Sequence, residues 1–266
     1  MLVSLLTDFG TADYFVAAMK GVILSLAPDA VIVDVTHEVP PQDVRAGAFT
    51  LAAAYETFPP GTVHVAVVDP GVGSARRAIL GMAGGHLFVG PDNGVLGWAM
   101  ERAGGERVLH LNRERFFRRP VSATFHGRDV FAPVAGVLAA GTAPEELGTE
   151  VADRVWLESL RPVRTADGVR GSVLHVDHFG NCVTSLTRAD VPAGFGEEGR
   201  VRIEVRGREI RAFRRFYAEP GGAPGEPFAI WGSAGFLEIS VDRDSAARAL
   251  GIQRGDPVEV LRSLPE

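Results

Sequence analysis

The stretch VHVAVVDPGVGSARR, Val63–Arg77, governs how the rest of the chain is read. Its first six residues are rich in β-branched valine and predict a short strand, and Asp-Pro-Gly then turns the chain at Asp69. A polar residue delivered at the carboxyl end of a strand is where an α/β fold presents its chemistry. Two further segments have the same form: TDFG (Thr7–Gly10) follows the apolar run Leu2–Leu6, and TFHGRD (Thr124–Asp129) opens onto the apolar stretch Phe131–Ala140. Together they offer Asp69, Arg76 and His126 for one polar site, with Asp8 as a fourth anchor. A carboxylate, a guanidinium and an imidazole can orient a water molecule, but they do not form a covalent-nucleophile triad.

Working outward, the first half alternates strands and helices. Tyr14–Leu26 places Val16, Met19, Ile23 and Leu26 on one helical stripe, stopped by Pro28. Val31–Val35 reads as a strand, and Val44–Phe58 as a helix ended by Pro59-Pro60-Gly61. Leu87–Val89 and Val108–Leu111 read as strands with the helix Gly94–Ala103 between them, and Phe131–Ala140 as the last helix. This is a βαβ layout, and it predicts an α/β domain over residues 1–145 with a mostly parallel sheet and flanking helices.

Residues 146–168 lose the pattern and read as a linker. Beyond it, residues 169–266 change period. Gly171–Val176, Cys182–Leu186, Val201–Val205, Ile210–Phe213, Phe228–Trp231, Leu237–Val241 and Val258–Leu261 are short runs separated by Gly and Pro turns, with one short helix, Ser245–Leu250. They predict a smaller antiparallel β-barrel-like domain.

The bulk properties narrow the function classes. An apolar fraction of 46% is ample for packed cores, and a net charge of −6 with interspersed signs lacks the basic face of a nucleic-acid binder. Cys182, the only cysteine, excludes an intrachain disulfide and a Cys-rich zinc site, and suits a reducing cytoplasm. MLVSLL is too short for a signal peptide and has no basic start, and no run approaches the ~20 apolar residues of a membrane span. The expected location is therefore the cytoplasm, without membrane association. No phosphate-binding GxxxxGK[ST] loop is possible around Lys20, the only lysine. There is no HExxH, and His175 and His178 fall on a strand and a turn, so no metal is expected.

Six segments in order, TDFG, VVDPGVGSARR, VGPDNGVLG (Val89–Gly97), TFHGRD, VDHFGN (Val176–Asn181) and GSAGFLEIS (Gly232–Ser240), span most of the chain. Their succession resembles the S-adenosylmethionine (SAM) hydrolases, adenosine-forming enzymes related to SAM-dependent fluorinases and chlorinases. The resemblance implies SAM as substrate, no cofactor, and Asp69, Arg76 and His126 as the catalytic residues. It also implies that Asp8 holds the ribose hydroxyls, although residue type alone leaves Asp8 open as a helix N-cap. Asn93 in the PDNG turn supports the site, with Asp92 beside it. In the second domain, Asp177 resembles the carboxylate that pairs with the methionine amino group and Asn181 the amide that reads adenine. Phe179 and Tyr217 are the candidate stacking surfaces, and Ser233 resembles the contact to the methionine carboxylate. The family assembles as homotrimers with the site between neighbouring subunits.

One position separates hydrolase from halogenase. Halogenating relatives carry tyrosine where this chain has Asp69, and fluorinases carry a serine at Gly127. A carboxylate at ~4 Å from a halide costs on the order of 4 kcal/mol at an effective dielectric of ~20. Water is the better nucleophile on this reading. The alternatives are a SAM-dependent halogenase and a non-catalytic SAM-binding protein, and the second would have no need of Asp69, Arg76 and His126 together.

Overall fold

In the computed structural model, which describes residues 1–105, 107–157, 161–191, 195, 201–219, 223 and 225–262, the first half of the chain becomes an alternating series. It runs β1 (Leu2–Thr7), α1 (Phe15–Leu26), β2 (Val31–Thr36), α2 (Val44–Ala54), β3 (Val63–Val67), β4 (Ala78–Ala83) and β5 (His86–Pro91). It continues with α3 (Gly97–Ala103), β6 (Arg107–His110), α4 (Ala132–Ala139) and β7 (Thr149–Glu150). The chain divides into two compact units, Met1–Leu157 and Glu158–Glu266.

In the first unit the strand order is β2-β1-β3-β5-β4-β6-β7. Successive β3 side chains serve opposite faces, as the two-residue period of a strand requires. Val63, Val65 and Val67 join a core with Met19 and Ile23 of α1 and Val134 and Leu138 of α4. Ala66 and Val68 join a second core with Leu51 of α2 and Met100 of α3. Burial on both faces explains why β3 is apolar throughout.

The sheet is mixed, which corrects the expectation of a mostly parallel one. The β1–β2, β1–β3 and β3–β5 ladders are parallel, but β4 runs antiparallel to both β5 and β6, and β7 antiparallel to β6. The cause is a hairpin that the reading missed. Gly84 and Gly85 both adopt positive φ (54° and 80°) between paired Ala83 and His86. That is the two-residue turn that reverses a strand without splaying the pair.

Helix boundaries also shift. The helix placed at Gly94–Ala103 begins at Gly97, and α2 ends in a tighter turn, Tyr55–Thr57. The last helix of this unit opens with a single wide turn, Gly127–Phe131, directly after His126. Within the stretch read as a linker, β7 forms, Asp153 accepts from Arg77, and the Val155 amide donates to Asp92 at 2.8 Å.

The second unit contains β8 (Val163–Arg164), β9 (Gly168–Val176), β10 (Cys182–Thr187), β11 (Val201–Val205), β12 (Arg208–Ile210) and β13 (Ala212–Arg214). These are followed by β14 (Pro227–Trp231), β15 (Phe236–Val241), α5 (Ala246–Leu250) and β16 (Pro257–Arg262). The order β12-β11-β16-β9-β10-β15-β14-β13, with β8 beside β9, makes a nearly barrel-shaped sheet. It curls because the long β9 pairs with β16 over Gly168–Ser172 and with β10 over Val173–Val176. The run expected as one strand at Ile210–Phe213 is two, β12 pairing with β11 and β13 with β14. The β13–β14 ladder is parallel, so this sheet too is not purely antiparallel.

Candidate active site

The loop from Asp69 to Arg77 is built from consecutive turns. The Val72 amide donates to the Asp69 carbonyl at 3.2 Å, and the Ser74 amide to the Gly71 carbonyl at 3.1 Å. At Gly73, φ is +79° and an added Cβ would lie 2.3 Å from the Ala123 carbonyl oxygen. Glycine there lets the loop lie against the backbone that leads into Phe125 and His126.

This contact brings three distant residues together. Arg76 Nε donates to both Asp69 oxygens at 3.0 Å, and its Nη2 also bonds Asp69 Oδ2. The same Nη2 lies 2.7 Å from His126 Nδ1. The Asp69 side chain is 5% exposed and that of Arg76 10%. Arg76 also sits over the Phe131 ring, 5.3 Å from its centroid.

Donor chemistry determines the imidazole tautomer. A guanidinium only donates, so Nδ1 must supply a lone pair, and the ring proton belongs on Nε2. Burial first, and the Arg76 charge second, lower the His126 pKa below its ordinary value, so the ring is neutral at pH 7. His126 therefore offers an Nε2–H donor.

Asp8, Asp69 and His126 share a cavity of about 390 Å³ walled by Phe9, Phe15 and Phe125. Asp8 follows β1, and its Oδ2 accepts from the Gln42 amide at 2.7 Å. It does not cap α1, whose N-cap is Tyr14. Gly127 also lines the cavity; a Cβ there would lie 3.2–3.3 Å from Met19, Phe125 and Phe9, so any side chain would be crowded.

Asn93, expected to support the site, has its side chain bonded to nearby backbone. Its Nδ2 donates to the Val68 carbonyl at 2.8 Å and its Oδ1 accepts from the Val95 amide at 3.1 Å. It pins the PDNG turn to the end of β3, behind Asp69. Asp129 is a positioning residue that sequence reasoning missed. Buried fully, it accepts from the Ser122 amide at 2.9 Å and pairs with Arg128 and Arg118, fixing the segment that carries His126. Its signal was the GRD that follows the histidine.

In the second unit, Asp177, Phe179, Asn181, Tyr217 and Ser233 line one cavity of about 1010 Å³. Phe179 is 77% exposed and available for stacking. The Asp177 carboxylate accepts from the amides of Phe179 and Asn181 and from Asn181 Nδ2, at 2.8–2.9 Å. Tyr217 donates its hydroxyl to Glu238 Oε2 at 2.7 Å. Burial first raises the Tyr217 pKa and Glu238 raises it further, while burial pushes the Glu238 carboxyl up. Glu238 was not singled out from sequence; its signal was a charge inside the apolar run FLEIS.

Family profiles match this chain in two blocks. One, described as the SAM hydroxide adenosyltransferase N-terminal domain, matches residues 3–148, and its C-terminal counterpart matches residues 171–259. The chain belongs to the SAM hydroxide adenosyltransferase family. The chain is 44% identical to a Thermus thermophilus protein named (R)-S-adenosyl-L-methionine hydrolase, over 96% of this chain and 98% of that protein. A Salinispora tropica protein of the same name is 42% identical over 97% of both. A fluorinase of Actinoplanes sp. matches at 27% over 98% of each chain. The crystal structure of an uncharacterized conserved protein from Thermotoga maritima superposes with a TM-score of 0.90 at 36% identity, covering 98% of this chain and all of that one.

Proposed function

We propose that this protein hydrolyses S-adenosyl-L-methionine to adenosine and L-methionine, releasing a proton. The sulfonium leaves as a neutral thioether, so the leaving group needs little help. The demand is for a water held in line behind the ribose C5′ in a sheltered pocket. The observation that carries the reading is the Arg76 fork, which joins Asp69 to His126, two residues that line the cavity with Asp8.

The proton inventory assigns roles. His126 Nδ1 is engaged by Arg76, so His126 acts by donating its Nε2–H to the water oxygen. That leaves Asp69 as the carboxylate to accept a water proton, while Arg76 stabilises developing hydroxide charge. The water's remaining lone pair then points to C5′. Asp8 would accept from the ribose cis-diol. As written, the reaction balances without a cofactor.

The site is completed, on this proposal, by a neighbouring subunit in a homotrimer. The 1–145 domain of one subunit would supply the reacting groups, and the 169–266 domain of the next would supply Asp177, Phe179, Asn181, Tyr217 and Ser233 for adenine and methionine. A variant that is monomeric should lose activity, and a fully active monomer would sink that arrangement. The single, buried Cys182 fits a cytoplasmic setting.

The experiment is product analysis by mass spectrometry in ¹⁸O-labelled water containing chloride, run separately on the two sulfonium epimers of SAM. Adenosine carrying one ¹⁸O at its 5′ oxygen, with free methionine, is expected. Consumption of the (R) epimer would extend the specificity carried in the relatives' names to this chain. A chlorinated adenosine would replace the hydrolase reading with a halogenase one, and tight binding without turnover would leave a binding protein.

A further inference from the structure

We infer that Glu238 receives the α-ammonium group of the methionine moiety, with Tyr217 holding its carboxylate in place; this rests on the function proposed above. Glu238 lies on β15 between Leu237 and Ile239, both fully buried core residues. Its ladder partners are Val183 and Ile230. An acidic side chain at such a position costs stability unless its charge meets a partner. Yet Glu238 is only 8% exposed, and it faces the 1010 Å³ cavity together with Asp177, Tyr217 and Ser233.

An ionised carboxylate accepts about four hydrogen bonds. Among the described residues, Tyr217 donates one, to Oε2. The backbone is shaped around the other oxygen: a Cβ at Gly232 would sit 1.7 Å from Oε1. Glycine at 232 therefore clears the space that this oxygen occupies beside Ser233. Asp177 is in the opposite condition. Three of its acceptor positions close its own turn, through the amides of Phe179 and Asn181 and through Asn181 Nδ2. Of the two carboxylates, Glu238 has more capacity left for a ligand that brings three N–H donors and a positive charge.

Asp242, Arg243, Asp244 and Arg248 also line the cavity, and two of these four charges are engaged with each other. Arg248 is paired with Asp244, and Asp244 also accepts from the Ser245 amide, both on the rim that carries α5. A primary ammonium at Glu238 would make a charge-assisted bond to Oε1 and could use what remains free on Asp177 Oδ2. The carboxylate end of the amino acid would then lie toward Ser233.

The test uses the full chain with SAM and with the analogue that has a hydroxyl in place of the α-ammonium. The unaltered protein should favour SAM over the analogue by about 10–100-fold in KM, the range of one hydrogen bond to a charged group. In Glu238→Gln, KM for SAM should rise by a similar factor, kcat should fall by less than about threefold, and the preference over the analogue should nearly vanish. Tyr217→Phe keeps the carboxylate but releases it, and should lose part of the same preference. If Glu238→Gln discriminates as strongly as the unaltered protein, the inference is overturned. Should that variant fail to fold, judged by circular dichroism, Tyr217→Phe decides, and an undiminished preference there overturns the inference as well. Absence of SAM turnover and binding in the unaltered protein would instead defeat the proposed function, and the inference with it.

Discussion

Arg76→Ala removes a guanidinium that bonds both oxygens of Asp69 and Nδ1 of His126. The Asp69 side chain is 5% exposed, so its carboxylate is left unpaired at the cavity wall. Breaking a buried pair from one side costs on the order of 3–5 kcal/mol, and cavity water places this case near 3 kcal/mol. At roughly 2–4 °C per kcal/mol for a unit of this size, melting should fall by about 6–12 °C. Arg76→Lys returns a charge, but an ammonium cannot donate along the Nε and Nη2 directions at once. It should recover about half of the melting temperature, while kcat remains at least ~100-fold down, as for loss of a preorganised donor. Calorimetry and product chromatography read the two effects separately. Nitrogen-15 NMR adds a third readout. His126 should carry its proton on Nε2 and titrate below the ordinary histidine value, and in Arg76→Ala its midpoint should rise as the nearby positive charge is removed. An Arg76→Lys protein with nearly normal kcat, or a His126 protonated on Nδ1 at neutral pH, would refute the argument.

Other perturbations follow from the same structure. Because the folded pKa of His126 is lowered, kcat should hold above that midpoint and fall as pH drops through it, below the ordinary histidine value; a profile with no acid limb at any pH where the protein stays folded would count against a role for the neutral ring. His64 is fully buried between Ser4 Oγ (2.7 Å) and His86 Nδ1 (3.1 Å), and burial first, then His86, lowers its pKa to about 3. The unfolded chain binds the proton below about pH 6.5 and the folded one does not, so stability should drop by about 2 kcal/mol from pH 7.5 to 5 relative to a His64→Gln variant. Denaturant titrations at the two pH values would show it, and parallel loss in both proteins would contradict it. Gly73→Ala places a Cβ against the Ala123 carbonyl at positive φ, and should lower kcat by about tenfold or more while leaving the far side of the sheet intact. Asp8→Asn should raise KM for SAM more than it lowers kcat; the reverse pattern would move Asp8 into the catalytic group.

Much of the architecture is local and so can be read along the chain. The valines of β3, the stripe of Val16, Met19 and Ile23, and the Asp-Pro-Gly turn are set by side-chain shape and period alone. Those signals place Asp8, Asp69 and His126 at strand ends or helix starts. They also separate an alternating first half from a second half of short strands. The Gly84-Gly85 hairpin was equally local, and overlooking it is why the sheet was expected to be mostly parallel.

Other features depend on which segments meet across the sheet. No spacing along the chain says that Arg76, rather than another of the many arginines, bridges Asp69 to a histidine 50 residues away. Nor does it say that the Asn93 side chain is occupied by the Val68 carbonyl, or that Glu238 sits within a core strand and opens on a cavity. The sequence by itself determined the elements and the residue types carried at their ends, because propensity and periodicity act over a few residues. Only the tertiary structure decided partners, tautomer and free acceptor capacity, because hydrogen bonding and burial depend on distances between segments far apart in the chain.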